Sequence, residues 1–168
     1  MRLPFLCQHG KGFVMESFAA DRMLGKLAKW LRLLGYDVVY LRQAGDTEIL
    51  SRLREGRTLL TRDRRAEPWS KQGKVFVVHA NDPKEQLREV VEGLGLPKLD
   101  FALFSRCLKC NSLLERVNKK EVLEQVPEYV WQTHHRFHRC EDCGQVYWSG
   151  SHSERMRQRL AEIFASSK

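Results

Sequence analysis

Two cysteine pairs constrain this chain more than any other feature. CLKC (107–110) and CEDC (140–143) are separated by 29 residues. The two-residue spacing within each pair lets both thiolates reach one ion from a tight knuckle. Two such knuckles complete a tetrahedral sulfur site that suits Zn2+. Cys107, Cys110, Cys140 and Cys143 leave no coordination position open, so the metal is expected to hold a fold together rather than do chemistry. The gap exceeds the usual spacing of about 15–20 residues, which predicts an inserted turn or helix over KKEVLEQV (119–126). Redox CxxC pairs normally sit beside a βαβ pattern, and neither pair does. After the last cysteine, QVYWSGSH reads as a hairpin strand, with Tyr147 and Trp148 packing against a small ribbon core. His134, His135, His138 and His152 lie near Arg136 and Arg139, either as a solvated face or as phosphate contacts.

Upstream of the cysteines the pattern differs. FVMESFAA (13–20), YDVVYL (36–41), RTLLT (57–61) and VFVVH (75–79) are short apolar runs that read as strands. Between them, residues 21–35 and 47–56 repeat apolar positions at helical spacing. Gly35 supplies a stop, and Asp82-Pro83 supplies a cap and a first helical residue for a further helix. Strands alternating with helices over short loops predict an α/β fold, a parallel sheet with helices on both faces. LGLPKLD (94–100) marks the boundary, giving an α/β domain over 1–100 and a zinc ribbon with a C-terminal helix (153–164) over 101–168.

Charge narrows the partner. The chain carries 29 Lys/Arg against 21 Asp/Glu, a formal net charge of +8. The excess is shared, with 18 basic against 13 acidic residues over 1–105 and 11 against 8 over 106–168. A spread positive field favours a polyanion, nucleic acid first. No run approaches the roughly 20 apolar residues of a membrane span. With no secretory leader visible and cysteines suited to metal, the expected compartment is the cytoplasm. No GxxxxGK[ST] or GxGxxG stretch supports a nucleotide cofactor, and nothing frames a nucleophilic serine.

The carboxylates carry the chemistry. Asp21 follows the first strand, Asp63 the third, and Asp46 follows the second after a short loop, with Glu48 two residues on. Singly, Asp21 and Asp46 read as helix caps and Asp63 as a turn residue. Jointly they fall at the edge where parallel strands end and ligands bind. Like charges gathered there repel unless a cation sits among them, and hard oxygen donors suit Mg2+ or Mn2+. Such a cation in a basic protein points to phosphodiester chemistry, with Arg62, Arg64 and Arg65 holding the flanking phosphates. The same acids could serve a small-molecule phosphatase, a reading the basic field disfavours.

The run DRMLGKLAKWLRLLGYD, then GDTEIL, EGRTLLTRD, RCLKC and finally CEDCGQVYWSGSH closely resembles the Mut-seven C-terminal RNase domain family. The resemblance spans about residues 14–160. It implies a PIN-like nuclease domain fused to a zinc ribbon, and a metal-dependent ribonuclease whose acids bind Mg2+ or Mn2+. Carried over by position, Asp21 matches the first acid and Asp63 the acid after the later strand. Asp46 or Glu48 matches the intervening one, with Asp46 preferred as catalytic. A fourth acid is common in PIN-like sites, but Asp82, the one candidate, reads as a helix cap. Lys26, Arg32 and Arg62 would line the approach of RNA, and Arg136, His138 and Arg139 would extend the binding surface onto the ribbon. A non-catalytic RNA-binding adaptor of the same fold is the alternative.

Overall fold

A computed structural model describes residues 16–97 and 103–165. Four strands, β1 (Ser17–Ala20), β2 (Asp37–Tyr40), β3 (Thr58–Thr61) and β4 (Val75–Val77), form one all-parallel sheet in the order β2-β1-β3-β4. The interleaved helices are α1 (Gly25–Leu33), α2 (Asp46–Arg54), the short α3 (Glu67–Ser70) and α4 (Pro83–Gly93). Side chains alternate across a strand, and here both alternations are buried. Phe18, Ala20 and Leu60 face the cluster built by α1 and α4, while Ala19 and Leu59 face Ile49 and Leu53 of α2. A strand buried on both faces must read as a continuous apolar run, which is how TLL and FAA read.

The second part is a three-stranded antiparallel sheet, β5 (Leu114–Val117), β6 (Phe137–Cys140) and β7 (Val146–Trp148), in the order β5-β6-β7. Its small core is Val122, Val126, Val130, Phe137 and Val146. The last helix, α6 (Ser151–Ala165), leaves the ribbon and packs on α4, burying Leu160 and Ile163 in the core of the parallel sheet. Arg88 of α4 fastens it by donating to the Ile163 carbonyl at 3.0 and 2.9 Å. No described helix is long and apolar enough to cross a membrane.

Several boundaries differ from expectation, each for a local reason. The helix expected over 21–35 opens as a 3-10 turn, Arg22–Leu24, capped by Asp21. Its continuation passes through Gly25, where a Cβ would lie a tight 3.0 Å from the Tyr40 ring. Asp46 is the first residue of α2 rather than its cap, a place held by Gly45 without any side-chain bond. The insertion expected over 119–126 as a turn or helix is the turn, a 3-10 one (Lys119–Val122) with an Asn118/Glu121 capping box, and the regular helix α5 (Glu128–Thr133) starts after it. The first residues of the strand expected over 13–20, the proposed domain boundary and Cys7 lie partly or wholly outside the described residues.

Candidate active site and metal centre

The strand order puts a switch point between β1 and β3. The chain leaves β1 for β2 on one side and returns to β3 on the other, so the loops leaving β1 and β3 part and open a crevice. A cleft of about 420 Å3 lies there, and Asp21, Asp46 and Asp63 all line it. Arg62, Arg65 and Thr61 share its polar wall.

Asp21 is held from several sides. Its Oδ1 accepts from the Met23 amide at 2.8 Å, and its Oδ2 accepts from the Thr61 hydroxyl at 2.6 Å and the Arg62 amide at 2.8 Å. Capping and site-building are therefore one arrangement. A carboxylate offers about four lone-pair positions, so Oδ1 keeps one for another partner. The Asp63 Oδ1 accepts from the Arg65 amide at 2.9 Å and from Arg65 Nε at 3.4 Å. The Arg65 backbone N–H chiefly holds the Asp63 carboxyl below its ordinary pKa; desolvation opposes this, and the Arg65 guanidinium adds to the lowering. None of these bonds uses its Oδ2. Asp46 lies at the N-terminus of α2, where the helix dipole favours negative charge, and its carboxylate makes no hydrogen bond or ion pair among the described residues.

Thr61 was not foreseen as part of the site. Its side chain is 1% exposed. The hydroxyl donates to Asp21 and accepts from the Asp63 amide at 3.0 Å, so one buried group aligns two acids from distant parts of the chain. The available signal was a small hydroxyl residue two positions before an acid at a strand exit. Met23 and Trp69 also line the cleft and were likewise missed.

The remaining expected residues fall elsewhere. Glu48 does not line the cleft; it lies 3.8 Å from Arg52 one helical turn on. Asp82 caps α4 through the Lys84 amide at 2.8 Å. Lys26 and Arg64 are exposed outside the cleft lining. Arg136 is exposed, while His138 and Arg139 are half-buried on or beside β6, with Arg139 3.6 Å from Glu121. Arg32 requires a correction. It is 6% exposed and does not line an approach to the cleft. Its Nε and Nη2 donate to the Val38 carbonyl at 3.0 and 2.8 Å, and its Nη1 donates to the Leu108 and Lys109 carbonyls, both at 3.1 Å. Positions three apart drift about 60° around a helix. From Lys26 through Lys29 to Arg32 the side chain turns from water into the joint with the cysteine knuckle.

That joint sits at the opposite end of the strands from the cleft. Asn111, one residue past CLKC, accepts from the Val38 amide at 2.9 Å and donates to Asp37 at 2.8 Å. Asp37 begins β2 and is bridged by Arg57, just before β3, at 2.7 Å. The knuckle thus satisfies the free edge of β2, which would otherwise present unpaired backbone groups.

In the ribbon the sequence expectation is met by geometry. The four sulfurs lie within 4.8 Å of one another, with Cys107–Cys143 at 3.6 Å and Cys110–Cys140 at 3.2 Å. Tetrahedral Zn–S bonds of about 2.3 Å require sulfurs roughly 3.8 Å apart, so the donor set fits Zn2+. Tyr147 belongs to this centre. Its hydroxyl lies 3.2 Å from the Cys107 sulfur and accepts from the Leu108 amide. Burial raises the Cys107 pKa, but the Tyr147 hydroxyl and the Cys110 and Lys109 amides outweigh it and bring the thiol down to about 6. Among the described residues no other group of three or more His, Cys, Asp or Glu has ligand atoms gathered this closely. The cleft carboxylates face one space without forming such a cage.

Fold and sites together define a class: a parallel α/β protein with an acidic cleft at its switch point, joined to a four-cysteine ribbon. The family model of the Mut7-C RNAse domain matches residues 16–160, nearly the whole chain, and the chain belongs to that family. Membership points to a nuclease or RNA-related role. The curated proteins and the solved structures yielded no match.

Proposed function

We propose that the chain is a metal-dependent ribonuclease that hydrolyses phosphodiester bonds of RNA at the cleft between β1 and β3. The observation that carries this reading is the shared lining: Asp21, Asp46 and Asp63 come from three separate segments and open into one space. Their free oxygen positions are hard donors of the kind Mg2+ or Mn2+ takes. When bound, such a cation supplies a polarised water and charge neutralisation at the phosphate. The protein's own part is to hold the acids in place and the substrate in line. Thr61 and the Arg62 amide fix Asp21, and Arg65 orients Asp63. Arg62 lines the cleft and is anchored through Asn81, while its buried Nε has no partner among the described residues. Arg65, with its side chain 91% exposed, is placed to meet the backbone of an incoming strand. The division near residue 100 into a PIN-like half and a zinc-ribbon half belongs to the same proposal, with Zn2+ in a purely structural place.

The test is incubation of the purified chain with labelled RNA, with and without Mn2+. Asp63→Asn and Asp21→Asn should abolish cleavage while RNA affinity stays similar or rises, since one repelling charge is gone. Cleavage that survives both substitutions would refute the assignment. A second reading, an RNA-binding adaptor without activity, draws on the open spacing of the carboxylates. It requires that no preparation cut RNA while binding still falls steeply with salt.

A further inference from the structure

The cleft has a second wall that phosphate and metal chemistry does not call for. Leu41, Ala44, Ile49, Leu59 and Trp69 line it with hydrocarbon, directly beside the acids and arginines. Trp69 is half-buried, resting on the apolar cluster of α2 and β3. Its indole N–H has no partner among the described residues. The ring is set on α3, where the Trp69 amide closes a turn onto the carbonyl of Ala66, itself 2% exposed. Met23 also borders the space, 58% exposed. One stretch, residues 61–69, thus supplies a residue that aligns the acids, an acid, two arginines and an aromatic side chain to a single cleft.

We propose that Trp69 is a stacking platform for one unpaired nucleobase, so that the cleft selects single-stranded over duplex RNA. A flat π-face beside a charged rim matches what an unstacked nucleotide presents, a ring on one side and a phosphate on the other. A base inside a duplex is already stacked and paired, and it reaches such a wall only after paying to leave the helix. The volume of about 420 Å3 lies in the range that accommodates one small ligand. The inference rests on the nuclease reading for the nature of the substrate, but it concerns binding, which proceeds without cleavage.

The test uses the full chain carrying Asp63→Asn and three fluorescent probes: a single-stranded RNA hexamer, its duplex, and the same hexamer with abasic riboses. Stacking is worth about 1–3 kcal/mol per base. Trp69→Leu, which keeps an apolar side chain over the α2–β3 cluster, should therefore lose roughly five- to a hundredfold in affinity for the hexamer. It should lose nothing for the abasic strand, and its preference for single strand over duplex should disappear. Trp69→Phe should stay close to the parent. Unchanged hexamer affinity in Trp69→Leu, or an equal loss on the abasic strand, would overturn the proposal. The two readings separate cleanly. Trp69-dependent binding in a chain that never cuts RNA would sink the nuclease reading alone, and cutting with Trp69-independent binding would sink the stacking site alone.

Discussion

Arg32 offers the sharpest test of how the two parts are joined. Its guanidinium is buried and makes four hydrogen bonds to three carbonyl oxygens, those of Val38, Leu108 and Lys109. Burial lowers its pKa, and the charge interaction with Cys107 and Cys110 opposes that by favouring the protonated guanidinium. In Arg32→Met the stem is kept and the fork removed, leaving three backbone acceptors without their donor. Bonds to a charged group are each worth about 1.5–3 kcal/mol net, but two of the four share one acceptor and Lys109 is exposed to water. The expected loss is therefore nearer that of breaking one buried ionic network, about 3–5 kcal/mol. For a chain of 168 residues each kcal/mol shifts the melting temperature by about 2–4 °C, so calorimetry of the zinc-loaded protein should show a drop of roughly 6–20 °C. Lysine restores a charge but not the planar fork, and Arg32→Lys should recover little. The exposed Lys26→Met is the control and should stay within about 0.5 kcal/mol. If Arg32→Met melts with the parent but loses RNA affinity and salt dependence, the residue is a surface phosphate contact and the joint described here is wrong.

Other outcomes follow from the same geometry. Thr61→Val, nearly isosteric, should fold yet slow cleavage by at least tenfold, whereas Thr61→Ser should retain most activity; equal rates in both would remove Thr61 from the site. Chelating the zinc should release Asn111 from the edge of β2, so the Val38 amide should lose hydrogen-exchange protection along with the ribbon amides. Val38 protection that outlasts ribbon unfolding would show the halves to be independent. Asp37 has its pKa lowered: burial opposes this, but hydrogen bonds from Arg57 and Asn111 prevail. Its folded pKa thus lies below the unfolded value, so its stabilisation is fully present above roughly pH 4 and is lost as pH falls through the folded pKa. Urea midpoints should consequently fall less steeply in acid for Asp37→Asn than for the parent. Gly93→Ala would place a Cβ 2.7 Å from the Phe76 ring, and the overpacking should destabilise by about 1–3 kcal/mol in the same titration.

Much of the molecule was legible before any coordinates. The x2 spacing of the cysteines stated the donor set, because local chain geometry alone brings paired sulfurs together. Likewise the doubly apolar strands stated a parallel sheet, because only burial on both faces rewards a run such as TLL. The acids at the strand ends could be foreseen to share a cleft, since parallel strands end on one edge whatever their order in the sheet.

What the one-dimensional pattern left open depended on contacts between distant segments. Arg32 looked like its lysine neighbours because a helix period says which way a side chain points, not what stands opposite; the knuckle carbonyls 76 and 77 positions away decided its role. Asp46 was preferred to Glu48 only by position, and just over half a turn of α2 separates the one that lines the cleft from the one that lies toward Arg52. Trp69 sat in a polar loop with no periodicity to interpret, and only the docking of α3 on the α2–β3 cluster turned it into the wall of a site. Local chemistry is written in neighbouring residues, so the chain by itself determined its strands, its knuckles and its acids. Which of them face one another depends on long-range packing, and the tertiary structure alone decided that.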